Sequence, residues 1–152
     1  MYWTTGSDGT IRRAEMDGSG PAVLLSGLSN PHGITIDFDT SRLYWAEYGN
    51  QKIQSSDFQG KEMRTIATLA DDVPWGIAIM QDRVYWGTQG PQRLQSVTKA
   101  GEDMRTLYDG VSNVHQLVVA TNNLPGNRTN HCEYYNCSRI CVLTASYARC
   151  VD

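Results

Sequence analysis

The sequence predicts an all-β protein built from repeated four-stranded units, on three observations. The dipeptide Tyr-Trp recurs at Tyr2-Trp3, Tyr44-Trp45 and Tyr85-Trp86, a spacing of about 41 residues that matches one blade of a β-propeller. These pairs hold three of the four tryptophans in the chain. Between them, short apolar/polar alternations are separated by turn residues, and no stretch keeps the three-to-four spacing of an amphipathic helix.

The elements follow in order. In the first unit, residues 1–28, strands are marked by Tyr2-Trp3, Ile11 and Val23-Leu24-Leu25, with a turn at Met16-Asp17-Gly18. The second, residues 31–70, alternates over Gly33–Asp37, is β-rich over Arg42–Ala46, and alternates again over Lys52–Ser56 and Arg64–Leu69. Its turns, Asp39-Thr40-Ser41, Tyr48-Gly49-Asn50 and Gln59-Gly60-Lys61, supply the residue types that hairpins need. The third, residues 74–109, repeats the plan around Tyr85-Trp86, Leu94 and Lys99-Ala100-Gly101. Pro31-His32-Gly33-Ile34, Pro74-Trp75-Gly76-Ile77 and Val114-His115-Gln116-Leu117 occupy one repeat position, so residues 114–120 read as a last inner strand. The count is about three blades, whereas a propeller removes its edges by closing roughly four to eight. The first unit lacks its inner strand and the last its outer three, so the chain reads as a fragment of a longer protein.

Composition narrows the function. The 152 residues carry 13 Lys+Arg against 16 Asp+Glu, a net charge of −3, with no basic run, which argues against nucleic acid as a partner. No apolar run approaches the roughly 20 residues of a membrane helix, and the amino terminus lacks the basic start and apolar core of a secretory signal. All four cysteines, Cys132, Cys137, Cys141 and Cys150, follow residue 131. A punctuated segment at 121–130 reads as the linker ahead of them. Two glycosylation acceptor patterns, at Asn127 and Asn136, fit an oxidising extracellular context. A zinc site is the competing reading of the cysteines, but their spacing and the single nearby His131 favour disulfides.

The Tyr2-Trp3-Thr4-Thr5, Tyr44-Trp45-Ala46-Glu47 and Tyr85-Trp86-Gly87-Thr88 motifs resemble the Tyr-Trp-Thr-Asp (YWTD) repeats of the low-density-lipoprotein-receptor family. The resemblance implies a six-bladed YWTD propeller followed by an EGF-like module. Residues 1–120 are similar to its last three repeats and residues 131–152 to the start of the module. It implies the pairs Cys132–Cys141 and Cys137–Cys150; the module's fifth cysteine would fall at Asp152 and is absent. It also implies that residues 114–120 stand alone here, because the family closes its last blade with a strand from the other end of the propeller. The fourth motif position, acidic in the family and tying adjacent blades, keeps its charge only at Glu47, which predicts weaker polar ties between blades.

No catalytic constellation emerges: His32, His115 and His131 lack metal-ligand spacing, and no Gly-rich phosphate loop or other cofactor motif is present. A lactonase-like metal site assembled from Asn30, Glu47, Asn50 and Asn113 is the enzymatic alternative. Repeat geometry instead places His32, Trp75 and His115 at one mouth of the channel, with Glu47-Tyr48 and Thr88-Gln89 projecting at the same end. Aromatic residues gathered on a rigid rim make a protein-binding patch. His32 and His115 add the possibility of pH sensitivity. Tyr2, Trp3, Tyr44, Trp45, Tyr85 and Trp86 read as structural. The resemblance implies a cell-surface receptor, the Wnt co-receptor type included, whose partner is an extracellular protein or a neighbouring receptor module. A secreted nidogen-like matrix protein is the runner-up.

Overall fold

The computed structural model describes residues 1–110, 114–119, 140–144 and 148–151. Every regular element among them is a β-strand: β1 (Tyr2–Thr5), β2 (Thr10–Arg13), β3 (Ala22–Leu25), β4 (Pro31–Asp37), β5 (Arg42–Glu47), β6 (Lys52–Asp57), β7 (Arg64–Thr68), β8 (Val73–Met80), β9 (Arg83–Gln89), β10 (Arg93–Thr98), β11 (Arg105–Asp109), β12 (Val114–Val119), β13 (Ile140–Thr144) and β14 (Ala148–Val151). They form antiparallel sheets in the orders β1-β2-β3, β4-β5-β6-β7, β8-β9-β10-β11 and β12-β13-β14. The first strands of successive sheets, β1, β4, β8 and β12, pack beside one another.

The period-two geometry of a strand explains why Tyr and Trp stand together. Adjacent side chains point to opposite faces, so each pair serves two interfaces. Trp86 is fully buried against Tyr44, Ala46 and Ile53 of the preceding sheet, while Tyr85 packs with Val114 and Leu117 of the next. Tyr44 and Trp45 are 2% and 0% exposed. Ile11, Ile53 and Leu94, at one repeat position on the strand that follows the Tyr-Trp strand of each sheet, are each 0% exposed. The third sheet is therefore covered on both faces, by the second and by β12, and burial of each such apolar side chain contributes on the order of 1.5–3 kcal/mol.

The repeat extends to the backbone. The amides of Glu15, Asp57 and Thr98 each donate to the carbonyl four residues on, at Ser19, Lys61 and Glu102. Each loop then turns at a glycine of positive φ, Gly18, Gly60 and Gly101. Arg42 and Arg83 also repeat: each guanidinium donates to the hydroxyl of Ser55 or Ser96 and to the carbonyl of Glu62 or Asp103. These arginines tie the second, third and fourth strands of a sheet at one end.

Two expectations change. Residues 114–119 do not stand alone, because β13 pairs with β12 and β14 extends that sheet. Pairing satisfies backbone groups that a lone strand would leave open. Cys141 and Cys150 are opposite one another in backbone register; Cys132, Cys137, Asn127 and Asn136 lie outside the described residues. The polar ties between sheets also come from unexpected residues. Thr4, the third motif position, donates to the His32 carbonyl at 2.6 Å. Lys99 reaches from the third sheet to Asp37 of the second at 2.6 Å, with the two side chains 15% and 4% exposed. Burial raises the Asp37 carboxyl, but the bonds from Lys99 and Thr40 and the lysine charge outweigh it and hold the group below its ordinary 3.8.

Trp86→Ala should cost about 3–5 kcal/mol of stability in urea unfolding. Lys99→Met should cost about 3 kcal/mol near neutral pH by leaving Asp37 buried and unpaired. Because the folded Asp37 value is depressed, its contribution is present above about 3.8 and lost as pH falls through the folded value. The gap between Lys99→Met and wild type should therefore narrow in strong acid, and a gap constant down to that range would refute the assignment.

Candidate functional site

The site starts from a local irregularity. Strands β4, β8 and β12 each meet the strand after them through a bulge, with register shifts between Pro31 and Ile34, between Pro74 and Ile77, and between Val114 and Gln116. A bulge bends its strand and re-aims the side chain it carries. Proline is tolerated here because these strands have one edge without a partner strand. The bulged residues are His32 and Trp75, and His115 takes the same backbone position in β12.

Close approach of two bulges brings the rings together. A Cβ on Gly33 would lie 2.5 Å from the Trp75 carbonyl oxygen and 2.9 Å from the Ile77 nitrogen, so β4 and β8 meet only because residue 33 is glycine. His32 stacks on Trp75 with centroids 3.7 Å apart and planes 25° apart. Tyr48, just past β5, meets both rings edge-on, at 5.5 Å from His32 and 5.7 Å from Trp75. All three are half-buried, so each keeps exposed surface. Burial lowers the His32 pKa from its ordinary 6.5, which keeps the imidazole neutral near physiological pH. Below the rings, β4, β8 and β12 line an open cleft of about 680 Å³, its wall made by residues such as Ile34, Ile77 and Leu117.

Of the residues singled out from sequence, His32, Tyr48 and Trp75 come together. Glu47 does not project from the rim: it is 1% exposed, and its Oε2 accepts from Asn50 Nδ2 at 2.7 Å. Thr88, the matching position, is also 1% exposed, and its hydroxyl accepts from the Arg93 amide at 2.8 Å. The fourth motif position thus fastens a hairpin within its own sheet. The alternation that turns Tyr44 forward and Trp45 back turns Glu47 inward with Trp45. Gln89 ends β9 half-buried and makes none of the ring contacts of the trio. The side chain of His115, like Asn113, lies outside the described residues.

Of the lactonase-like set, Asn50 lies against Glu47, the Asn30 carbonyl accepts from the Tyr48 amide, and Asn113 lies outside the described residues. Glu47 is committed to Asn50, no carboxylate lines the cleft among the described residues, and no group of three or more His, Cys, Asp or Glu stands at metal-binding separation among them. What sequence reasoning missed is the arginine and serine framework, Arg42-Ser55 and Arg83-Ser96, whose period equals that of the Tyr-Trp pairs and was readable from it.

The neutral, buried state of His32 has a consequence for stability. Since its folded pKa lies below 6.5, the unfolded chain takes up the proton first, and stability falls as pH drops below about 6.5 until the folded value is passed. Urea midpoints should decline from neutral pH into that range, and His32→Phe, which keeps a ring on Trp75, should flatten the decline. An equal slope in both proteins would contradict this origin.

Residues 41–79 match the family model described as low-density lipoprotein receptor repeat class B. The chain is 26% identical over 144 residues to the vitellogenin receptor of Solenopsis invicta, covering 93% of this chain and 8% of the receptor. It is 35% identical over 71 residues to low-density lipoprotein receptor-related protein 5 of Mus musculus, covering 47% of this chain and 4% of the relative. It therefore spans a small part of either relative. A chain of the crystal structure of a nidogen/laminin complex superposes with a TM-score of 0.74 at 20% identity, over 95% of this chain and 52% of that one, a likeness of fold. Residues 41–79 thus carry a low-density lipoprotein receptor class B repeat, and the chain around them is similar in sequence to receptors that contain such repeats and in fold to a chain of the nidogen/laminin complex.

Proposed function

We propose that the chain is part of a non-enzymatic, extracellular ligand-binding domain of a lipoprotein-receptor-related cell-surface receptor, and that a protein ligand docks on the mouth formed by His32, Tyr48 and Trp75. The observation that carries this reading is the packed trio of half-exposed rings, His32 and Trp75 on two bulged inner strands and Tyr48 just past β5. Rings held by their neighbours lose little entropy on binding and offer the aromatic anchors that dominate interface energetics. The resemblance carried by the Tyr-Trp repeats extends the reading to receptors of the Wnt co-receptor type. Within it, residues 1–120 are the propeller portion, 121–130 a linker and 131–152 the start of an EGF-like module with pairs Cys132–Cys141 and Cys137–Cys150. Asn127 and Asn136 are its glycan acceptors, and Gln89 and His115 extend the docking rim.

A secreted nidogen-like matrix module is the second reading, favoured by the fold likeness that covers 95% of this chain. Among the described residues no helix is long and apolar enough to cross a membrane. The full-length transcript separates the two: a transmembrane helix in the complete protein supports the receptor and a secreted chain without one supports the matrix module.

The docking face is tested by fractionating secreted extracellular proteins on the wild-type chain and measuring the affinity of each retained protein for variants. Trp75→Ala and Tyr48→Ala should each weaken the genuine ligand by about 30-fold, in keeping with hot-spot truncations of about 2 kcal/mol. Affinity indifferent to both substitutions would defeat the proposed face. Comparing affinity at about pH 7.4 and about pH 5.5 then tests His32 and His115 as pH-sensitive contacts; a difference unchanged by His32→Ala and His115→Ala would rule them out.

A further inference from the structure

The end of the sheets opposite the His32 mouth carries a second aromatic group. Strand β4 runs from His32 to Asp37 and hands the chain to Phe38, which places Phe38 about 20 Å from the ring trio by strand rise. Phe38 is 78% exposed. Its ring meets Phe58 edge-on at 6.3 Å, and Phe58 lies 6.0 Å from Tyr2. The chain has two phenylalanines in all, and both stand in this row. Met16, which takes the repeat position of Phe58 in the first sheet, is 83% exposed.

The fold does not require these residues. Phe58 corresponds to Lys99 of the next sheet, so that loop accepts a polar side chain, and the β8–β9 turn, two residues long where the β4–β5 turn has four, carries Gln81 and Asp82 with no aromatic residue. The Phe38 turn is also rigid: Asp37 accepts from the Asp39 amide and the Thr40 hydroxyl while pairing with Lys99. A fixed turn holding a phenylalanine in water has prepaid the ordering cost of a contact.

Charge gives the complement. Around this row, Glu15, Asp17, Asp39, Asp82 and Glu102 are exposed, and none of them is in an ion pair among the described residues. Arg13 and Lys61 are the exposed basic side chains near them without such a pair, and the ammonium of Met1 is bonded to the Ala14 carbonyl. Arg42 and Arg64 share Glu62, and Arg83 and Arg105 share Asp103, so the net excess is small; the carboxylates outside ion pairs include Asp39 beside Phe38 and Asp17 beside Met16.

We propose that the Tyr2–Phe58–Phe38 end is a second docking surface, separate from the His32 mouth, for a basic protein segment that brings an aromatic or apolar anchor. The anchor covers Phe38 and Phe58, and basic side chains of the segment meet Asp39, Asp17 and Asp82. This site stands independently of the ligand proposed for the opposite mouth.

The test uses the full chain and a fluorescent synthetic peptide of alternating arginine and tryptophan, with a matched peptide in which glutamate replaces arginine. The arginine peptide should bind saturably, more weakly as salt rises, and the glutamate peptide should not. Phe38→Gln, at a side chain 78% exposed, should weaken binding about tenfold or more with folding intact. Asp39→Asn should reduce the salt dependence, and Trp75→Ala should leave binding unchanged. Absence of saturable binding, equal binding of the two peptides, or indifference to Phe38→Gln would overturn the proposal. So would loss of binding in Trp75→Ala, which would move the peptide to the opposite mouth.

Discussion

The fold depends on sheets covering one another face to face. A single sheet of three or four short strands is a marginal object in water, and these sheets gain stability by stacking. The Tyr-Trp dipeptide does this with the least sequence, because two adjacent residues on one strand point in opposite directions. In the third sheet, Trp86 fills the interface behind and Tyr85 the interface ahead. The third motif position faces the next sheet as well, so it is small where the approach is closest: a Cβ on Gly87 would collide with Val114.

Polar groups follow from this stacking. Burying a polar side chain is costly without a partner, and most of those buried here have one, although Trp45 Nε1 and Glu47 Oε1 make no hydrogen bond. Trp86 Nε1 donates to Gln95, its cross-strand neighbour, at 3.1 Å. Glu47 is held by Asn50, and Asp37 by Lys99 of the next sheet. The Asp37–Lys99 pair and the Thr4–His32 bond stitch adjacent sheets at opposite ends, which fixes their relative rotation. The ring trio inherits that rigidity, since His32 and Trp75 belong to different sheets and can stack only if those sheets keep their register.

Much of this was legible in the sequence. The Tyr-Trp spacing and the recurrent turns marked the strands from Tyr2 to Asp109, because hairpin chemistry and period-two alternation are local properties. The grouping of His32 with Trp75 was legible too, since residues at one repeat position of stacked sheets must lie near each other. Glu47 departs from the expected rim position because its exposure depends on which face of β5 it occupies, and period-two alternation puts it on the buried face with Trp45. The Arg42 and Arg83 clamps were present in the period and overlooked, because arginine at a strand start reads as solvated until its serine partner is known.

The sequence by itself determined the all-β class, the repeat and the faces of its strands, all of which rest on interactions between residues near in the chain. Only the tertiary structure decided how close the sheets come, and that distance governs function. The clearance at Gly33 allows the His32–Trp75 stack, and the reach of Lys99 to Asp37 replaces the acidic ties that the motif lacks. The pairing of β12 with β13 gives the last inner strand neighbours that no local pattern announced. Each is a contact between segments far apart in the chain, where the outcome depends on packing and desolvation rather than on the residue's own preference.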